Sequence, residues 1–331
     1  MSKITVLGSG GWGIALALTA FHCNHEVTVW SPFLPEINTL NSDREHKKLL
    51  PGVKIPEAIT FTTDIDAVNG SDITIIAVPS FAVRETAARL KGRQCGIIVN
   101  VAKGIEAGSH LRLSEVITDE VPTARVVVLS GPSHAEEVGR RVPTTIVAAS
   151  KDKEAAIQVQ AALMCSFFRI YTNDDVMGVE LGAALKNIIA VAAGVVDGLG
   201  YGDNTKAALI TRGLTEIARL GIKMGAKEKT FMGLSGLGDL VVTCTSVHSR
   251  NHRFGEMVGH GTGIVEALET VGTVEGYHAT AIAWDLAKVL SVEMPITEQC
   301  YSVLYEAKDP KDAINDLMER PSKNEHENFW F

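Results

Sequence analysis

Short runs rich in apolar and β-branched residues recur at 4–7, 26–30, 73–78, 96–101, 125–129, 144–149 and 168–171, and the pattern stops at about residue 178. Segments with helical spacing, such as 14–23, 81–90 and 155–164, lie between several of them. Strands that are apolar throughout, rather than on alternate residues, are covered on both faces. Joined by helices, they predict a parallel, doubly wound α/β sheet. Beyond the last run, 179–196, 206–224, 265–268, 278–290 and 297–307 read as helices, punctuated by glycine-rich breaks at 233–238 and 259–263. The expected organisation is an α/β domain over 1–178 followed by an all-α domain over 179–331. A chain this long usually exceeds one core, which agrees with two domains.

Composition narrows the function classes. The net charge of −8 argues against a nucleic-acid partner and favours solubility. Cys23, Cys95, Cys165, Cys244 and Cys300 are scattered and odd in number, as expected of reduced thiols in a cytoplasmic protein. The N-terminus enters a strand directly, so no export signal is expected. The longest apolar run, 188–196, is about half of a bilayer span, so no membrane insertion is expected. The polar stretch 322–328 and the aromatic Phe329-Trp330-Phe331 close the chain without a legible role.

Gly8-Ser9-Gly10-Gly11-Trp12-Gly13 follows the first strand and opens the first helix, with a second strand after it. In that setting G-x-G-x-x-G is a dinucleotide-binding turn: Gly8 permits the turn, Gly10 admits a pyrophosphate, and Gly13 lets helix approach strand. The sheet is then of Rossmann type and the cofactor NAD or NADP. The second strand ends at Trp30-Ser31-Pro32, with neither the acid of an NAD site nor the arginine of an NADP site. Arg44, Lys47 and Lys48 lie in the next loop, as cations that could reach a 2′-phosphate.

Lys103, in Val101-Ala102-Lys103-Gly104, and Gly131-Pro132-Ser133-His134-Ala135 both follow strands, where open α/β sheets bind ligands. Lys186 and Asn187 interrupt an otherwise apolar helix whose neighbours one turn from Lys186 are Gly182, Ala183, Ile189 and Ala190. No carboxylate on its own helix face can pair with the lysine. An ammonium among such neighbours loses hydration, which moves a lysine toward proton exchange near neutral pH; a lysine snorkelling to solvent is the alternative. Asp239, between glycines and the apolar run 240–242, is either the partner Lys186 lacks or a helix N-cap; Thr243 lies one turn beyond it. Ser249-Arg250-Asn251 offers a guanidinium suited to phosphate. His248 and His252 are four apart but have no evident third ligand, so no metal is expected.

Taken in order, the glycine turn, Ala102-Lys103-Gly104, Gly131-Pro132-Ser133-His134-Ala135-Glu136, Leu185-Lys186-Asn187, Gly236-Leu237-Gly238-Asp239, Ser249-Arg250-Asn251 and Val274-Glu275-Gly276 closely resemble the bacterial NAD(P)-dependent glycerol-3-phosphate dehydrogenases, from residue 4 to about 318. The resemblance implies a Rossmann-type N-terminal domain, a helical C-terminal domain and a site between them. It implies reversible hydride transfer between NAD(P)H and dihydroxyacetone phosphate, giving sn-glycerol 3-phosphate for phospholipid synthesis, with Lys186 as general acid/base. By the same resemblance, Lys103, Gly131, Ser133, Lys186, Asp239, Ser249, Arg250 and Asn251 contact the phosphorylated substrate, and Asn187 and Thr243 match positions that line the substrate site in related eukaryotic enzymes. Gly11, Trp12, Lys103, Ala135, Arg250 and Glu275 contact the cofactor. Pro32 departs from the family, which commonly carries Arg or His there for the adenosine phosphate. A homodimer is the assembly entertained. A dehydrogenase of 3-hydroxyacid or 6-phosphogluconate type would share the Lys-Asn pair but needs a carboxylate-binding cluster that is not visible. A non-enzymatic NAD(P)H sensor would not need Lys186, Asp239 and Arg250 together.

Overall fold

The computed structural model describes residues 1–322, 324 and 325, so the expectation about Phe329-Trp330-Phe331 lies outside the described residues. The chain divides into two compact units, Met1–Val176 and Met177–Phe331.

The first unit runs β1 (Lys3–Leu7), α1 (Gly11–His22), β2 (Glu26–Trp30), α2 (Leu34–Asp43), β3 (Thr60–Thr62), β4 (Ile73–Ile76), α3 (Val83–Ala88), β5 (Ile97–Asn100), α4 (Leu113–Glu120), β6 (Arg125–Ser130), α5 (Ala135–Gly139), β7 (Thr144–Ala149), α6 (Lys153–Leu163) and β8 (Phe168–Asn173). These strands form one sheet ordered β3-β2-β1-β4-β5-β6-β7-β8. Side chains alternate between two cores. Ile4, Val6, Ile75 and Val99 pack with Ile14, Leu16 and Val159 on one face. Leu7, Ile76 and Ile98 pack with Val83, Ala87, Val116 and Ile117 on the other. This is the Rossmann-type doubly wound arrangement. Between β1 and β4 the winding reverses, which opens a crevice at the carboxyl ends of those strands.

Two features depart from the expected parallel sheet. β3, three residues long and partly polar, lay below the length at which an apolar run is legible. β7 pairs antiparallel with β6, and then parallel with β8. The five-residue α5 is about 7 Å long, whereas a six-residue strand spans about 20 Å. It cannot carry the chain back along the sheet, so β7 starts beside the end of β6 and reverses.

The second unit is helical: α7 (Val176–Gly198), α8 (Asp203–Lys223), α9 (Glu228–Phe231), α10 (Asp239–Thr245), α11 (Arg250–Gly259), α12 (Ile264–Val271), α13 (Glu275–Leu290), α14 (Pro295–Tyr305) and α15 (Pro310–Met318). Sequence spacing missed α9, α10, α11 and α15, the short or polar members. The glycine-rich segment at 233–238 is not a break, because Leu234–Gly238 is a π-type turn that runs into α10, with Gly238 N–H bonded to Gly233 O at 3.1 Å.

α7 and α11 meet through their main chains. A Cβ on Gly194 would lie 2.0 Å from His252 O, and one on Gly255 would lie 2.0 Å from Val191 O. Gly198 and Gly259 repeat this reciprocal contact one turn further on. The buried Glu216 of α8 caps α14, accepting from Ile296 N–H and Thr297 N–H.

Candidate active site

In the first unit the glycine turn separates three physical demands. Gly8 has φ +122°, and a Cβ there would lie 2.4 Å from Ala77 O, the residue after β4. A Cβ on Gly13 would lie 2.1 Å from Gly8 O, so this glycine sets how closely α1 approaches β1. Gly10 is different, since a Cβ there would meet no protein atom within 4 Å. Packing therefore explains Gly8 and Gly13 but not Gly10. The open space beside Gly10 lies where a backbone-hugging pyrophosphate belongs, and the N–H groups of Gly11, Trp12 and Gly13 open α1 without helical acceptors. The turn thus fits a dinucleotide on protein geometry alone. Trp12 packs on the core, and Ala135, the first residue of α5, stands with its Cβ 3.6 Å from the Cβ position of Gly11.

Lys103, Gly131 and Ser133 converge as expected at the ends of β5 and β6. Lys103 Nζ donates to Gly131 O at 3.2 Å, and Ser133 Oγ donates to the same carbonyl at 3.0 Å. Sequence reasoning passed over Asn100. It is fully buried, and its amide accepts from Ala102 N–H and donates to Ala102 O, both at 3.2 Å, holding the loop that carries Lys103. An amide closing an apolar strand was the available signal.

In the second unit, α7 buries Lys186 and Asn187, each 4% exposed. Lys186 does not snorkel. Its Nζ donates to Asp239 Oδ1 at 2.8 Å and to Thr243 Oγ1, and Thr243 Oγ1 donates in turn to Asp239 O at 2.6 Å. Asp239 is therefore the lysine's partner, not a side-chain N-cap; Gly238 occupies the cap position of α10. The π-type turn delivers the carboxylate to α7 at the point where Gly182 lets Ser235 O approach.

Asn251 is engaged with the protein itself. Its Nδ2 donates to Asn187 Oδ1 at 3.0 Å and its Oδ1 accepts from Gly276 N–H at 2.8 Å, tying α11 to α7 and to the start of α13, where Glu275 stands. Ser249 caps α11, its Oγ accepting from His252 N–H at 3.2 Å. Arg250, the first residue of that helix, is exposed, and no carboxylate among the described residues pairs with it. His248 precedes α11 and His252 Nε2 sits 2.7 Å from Asp197 Oδ2, so the two histidines do not share a helix face.

Cys23, Cys244 and Cys300 lack nucleophilic character. Burial pushes Cys244 and Cys300 up to about 12, and burial with the neighbouring Cys165 does the same to Cys23.

Comparison with known proteins places this geometry. A family model described as the N-terminus of NAD-dependent glycerol-3-phosphate dehydrogenase matches residues 3–156, and one described as its C-terminus matches 175–315. The chain belongs to this family. It is 51% identical over 330 residues to glycerol-3-phosphate dehydrogenase [NAD(P)+] from Desulfitobacterium hafniense, covering 99% of this chain and 94% of that one. A relative of the same name from Geobacillus thermodenitrificans is 52% identical, covering 98% and 97%. Among solved structures, glycerol-3-phosphate dehydrogenase from Coxiella burnetii matches with a TM-score of 0.92 at 39% identity, covering 96% of this chain and 99% of that one. This dehydrogenase family membership accounts for the order in which the glycine turn, the Lys103 loop, the Lys186 helix and the Arg250 helix occur.

Proposed function

We propose that this protein is an NAD(P)-dependent sn-glycerol-3-phosphate dehydrogenase, reducing dihydroxyacetone phosphate in the direction that supplies glycerophospholipid synthesis. The observation that carries the reading is the buried triad of Lys186, Asp239 and Thr243. A lysine held by two acceptors in a water-poor helical core is positioned for one proton.

A nicotinamide dinucleotide held at the glycine turn would supply the hydride that C2 of the ketone accepts. Lys186 Nζ donates a proton to the C2 oxygen as negative charge develops there, and takes the hydroxyl proton back in the oxidative direction. Asp239 and Thr243 fix where Nζ points. Asn187 is oriented by the Asn251 amide, so we assign it to the wall of the substrate site. Arg250, with the free N–H groups that begin α11, binds the phosphate and thereby sets the position of C2. Lys103 and Ser133 add polar contacts from the loops after β5 and β6, and we assign the cofactor to the glycine turn, Ala135, Arg250 and Glu275. The proposal also carries the domain roles, nucleotide binding over 1–178 and substrate binding over 179–331.

We extend the reading to a cytoplasmic homodimer acting on small molecules, with no nucleic-acid partner. The net charge of −8 supports the absence of a nucleic-acid partner. The burial of α7, which among the described residues is the one single helix long and apolar enough to cross a membrane, supports its reading as a core helix.

Lys186→Ala tests the assignment. Its turnover of dihydroxyacetone phosphate should fall by about 10²–10⁴-fold, the usual contribution of a positioned acid/base group, while NADH still quenches protein fluorescence on binding. Near-normal turnover would remove Lys186 from the chemistry.

A further inference from the structure

β2 closes at Trp30 and is followed by Ser31 and Pro32, so the strand end carries no ionisable group. The first turn of α2 brings one back. Ser31 Oγ donates to Glu36 Oε2 at 3.0 Å, and His46 Nε2 lies 3.7 Å from Glu36 Oε1. His46, then the hydroxyls of Ser9 and Ser31, hold the Glu36 carboxyl below the usual carboxylate range against the opposing effect of burial. Ser9 belongs to the glycine turn and Ser31 to the loop after β2. The carboxylate thus sits between the two loops that flank the adenosine end of a dinucleotide site. Its side chain remains 31% exposed, and a carboxylate offers about four acceptor positions, so beside Ser31, Ser9 and His46 there is room for a further donor.

The neighbouring cations are mostly committed elsewhere. Arg44 Nη1 donates to Ile59 O at 2.8 Å, its guanidinium lies over the Phe61 ring, and Nε faces Glu57. Lys47 pairs with Asp43 at 2.8 Å. Lys48 is exposed, and among the described residues it has no ion pair, which leaves it as the cation of this loop available for a phosphate.

We propose that Glu36 receives the ribose hydroxyls of the adenosine half and makes this chain select NADH against NADPH. The proposal rests on the dinucleotide-binding reading above. A ribose 2′-hydroxyl donates to a carboxylate, whereas a 2′-phosphate offers it only acceptors and negative charge.

The test is equilibrium fluorescence titration with NADH and with NADPH, without substrate, on the wild type, Glu36→Gln and Glu36→Asp. The wild type should bind NADH at least about tenfold more tightly than NADPH. In Glu36→Gln the ratio should shrink to about twofold or less, mainly through tighter NADPH, and NADH binding reports that the turn is still folded. Glu36→Asp keeps the charge and should keep NADPH weak, which decides the matter if the Gln variant melts. An unchanged ratio in Glu36→Gln, strengthened NADPH binding in Glu36→Asp, or a wild type that prefers NADPH through Lys48, overturns the role of Glu36. Equal binding of both nucleotides by the wild type also overturns it, yet leaves the proposed function standing. Failure of the wild type to bind either removes both.

Discussion

Glu216 should make the helical unit lose stability as pH rises through neutrality. Its carboxylate is 3% exposed and accepts from Ile296 N–H at 2.6 Å, from Thr297 N–H at 3.2 Å and from the Thr297 hydroxyl at 3.3 Å. Burial outweighs those donors and the attraction of Arg219, and pushes the carboxyl from 4.5 to about 7. Between those values the folded chain holds a proton that the unfolded chain has released. The stabilisation is therefore fully present below about pH 4.5 and is lost as pH rises through about 7. At about 1.4 kcal/mol per pH unit, this separation corresponds to about 3 kcal/mol. For a unit of this size, that is a shift of roughly 6–12 °C in melting midpoint. Glu216→Gln keeps one acceptor but cannot titrate, so it adds an offset that does not depend on pH. The wild-type midpoint, measured by circular dichroism relative to that of Glu216→Gln, should drop by roughly 6–12 °C between about pH 4.5 and about pH 8. Parallel curves for the two proteins would refute the raised carboxyl.

The glycine turn predicts a dissociation of stability from binding. Gly10→Ala should leave the melting midpoint unchanged and weaken NADH by about tenfold or more, whereas Gly13→Ala, whose Cβ would lie 2.1 Å from Gly8 O, should lower the midpoint as well. Matching midpoints in the two variants would contradict the assignment of separate tasks. Asp239→Asn leaves Lys186 buried opposite a neutral amide, and urea denaturation should show a loss of about 3–5 kcal/mol together with reduced kcat. Full stability in that variant would mean the pair is not buried as described. Arg250→Ala should raise KM for dihydroxyacetone phosphate by about tenfold or more, a much larger change than its loss of NADH affinity, and an unchanged KM would exclude it as the phosphate anchor.

Much of this architecture was legible because burial imprints itself on strands and long helices. The runs at 4–7, 26–30 and 144–149 coincide closely with β1, β2 and β7, since strands covered on both faces cannot be polar. Strand direction is not written in composition, so the reversal at β7 became visible only with the length of α5. The pairing of Lys186 with Asp239 could be anticipated from need, because each was a charge without a local partner. The place of Asn251 could not, because an exposed loop asparagine and a buried bridge between three helices look alike in one dimension. Glu36 was missed for a similar reason. It lies six residues past Trp30 in sequence, and only the turn into α2 returns it to the strand end.

The glycine contacts between α7 and α11 bear on how such an enzyme can diverge. Where two helices touch through main chain, their separation cannot be adjusted by exchanging one apolar side chain for another; any larger residue at Gly194 or Gly255 collides with a carbonyl. The spacing of α7 and α11 is thus a fixed gauge, and with the roles proposed for Lys186 and Arg250 it would be matched to one length of phosphorylated substrate. Nucleotide choice, which we proposed to rest on the partly exposed Glu36 in α2, would be under no such constraint. Related chains should exchange their reductant readily while keeping the size of the molecule they reduce.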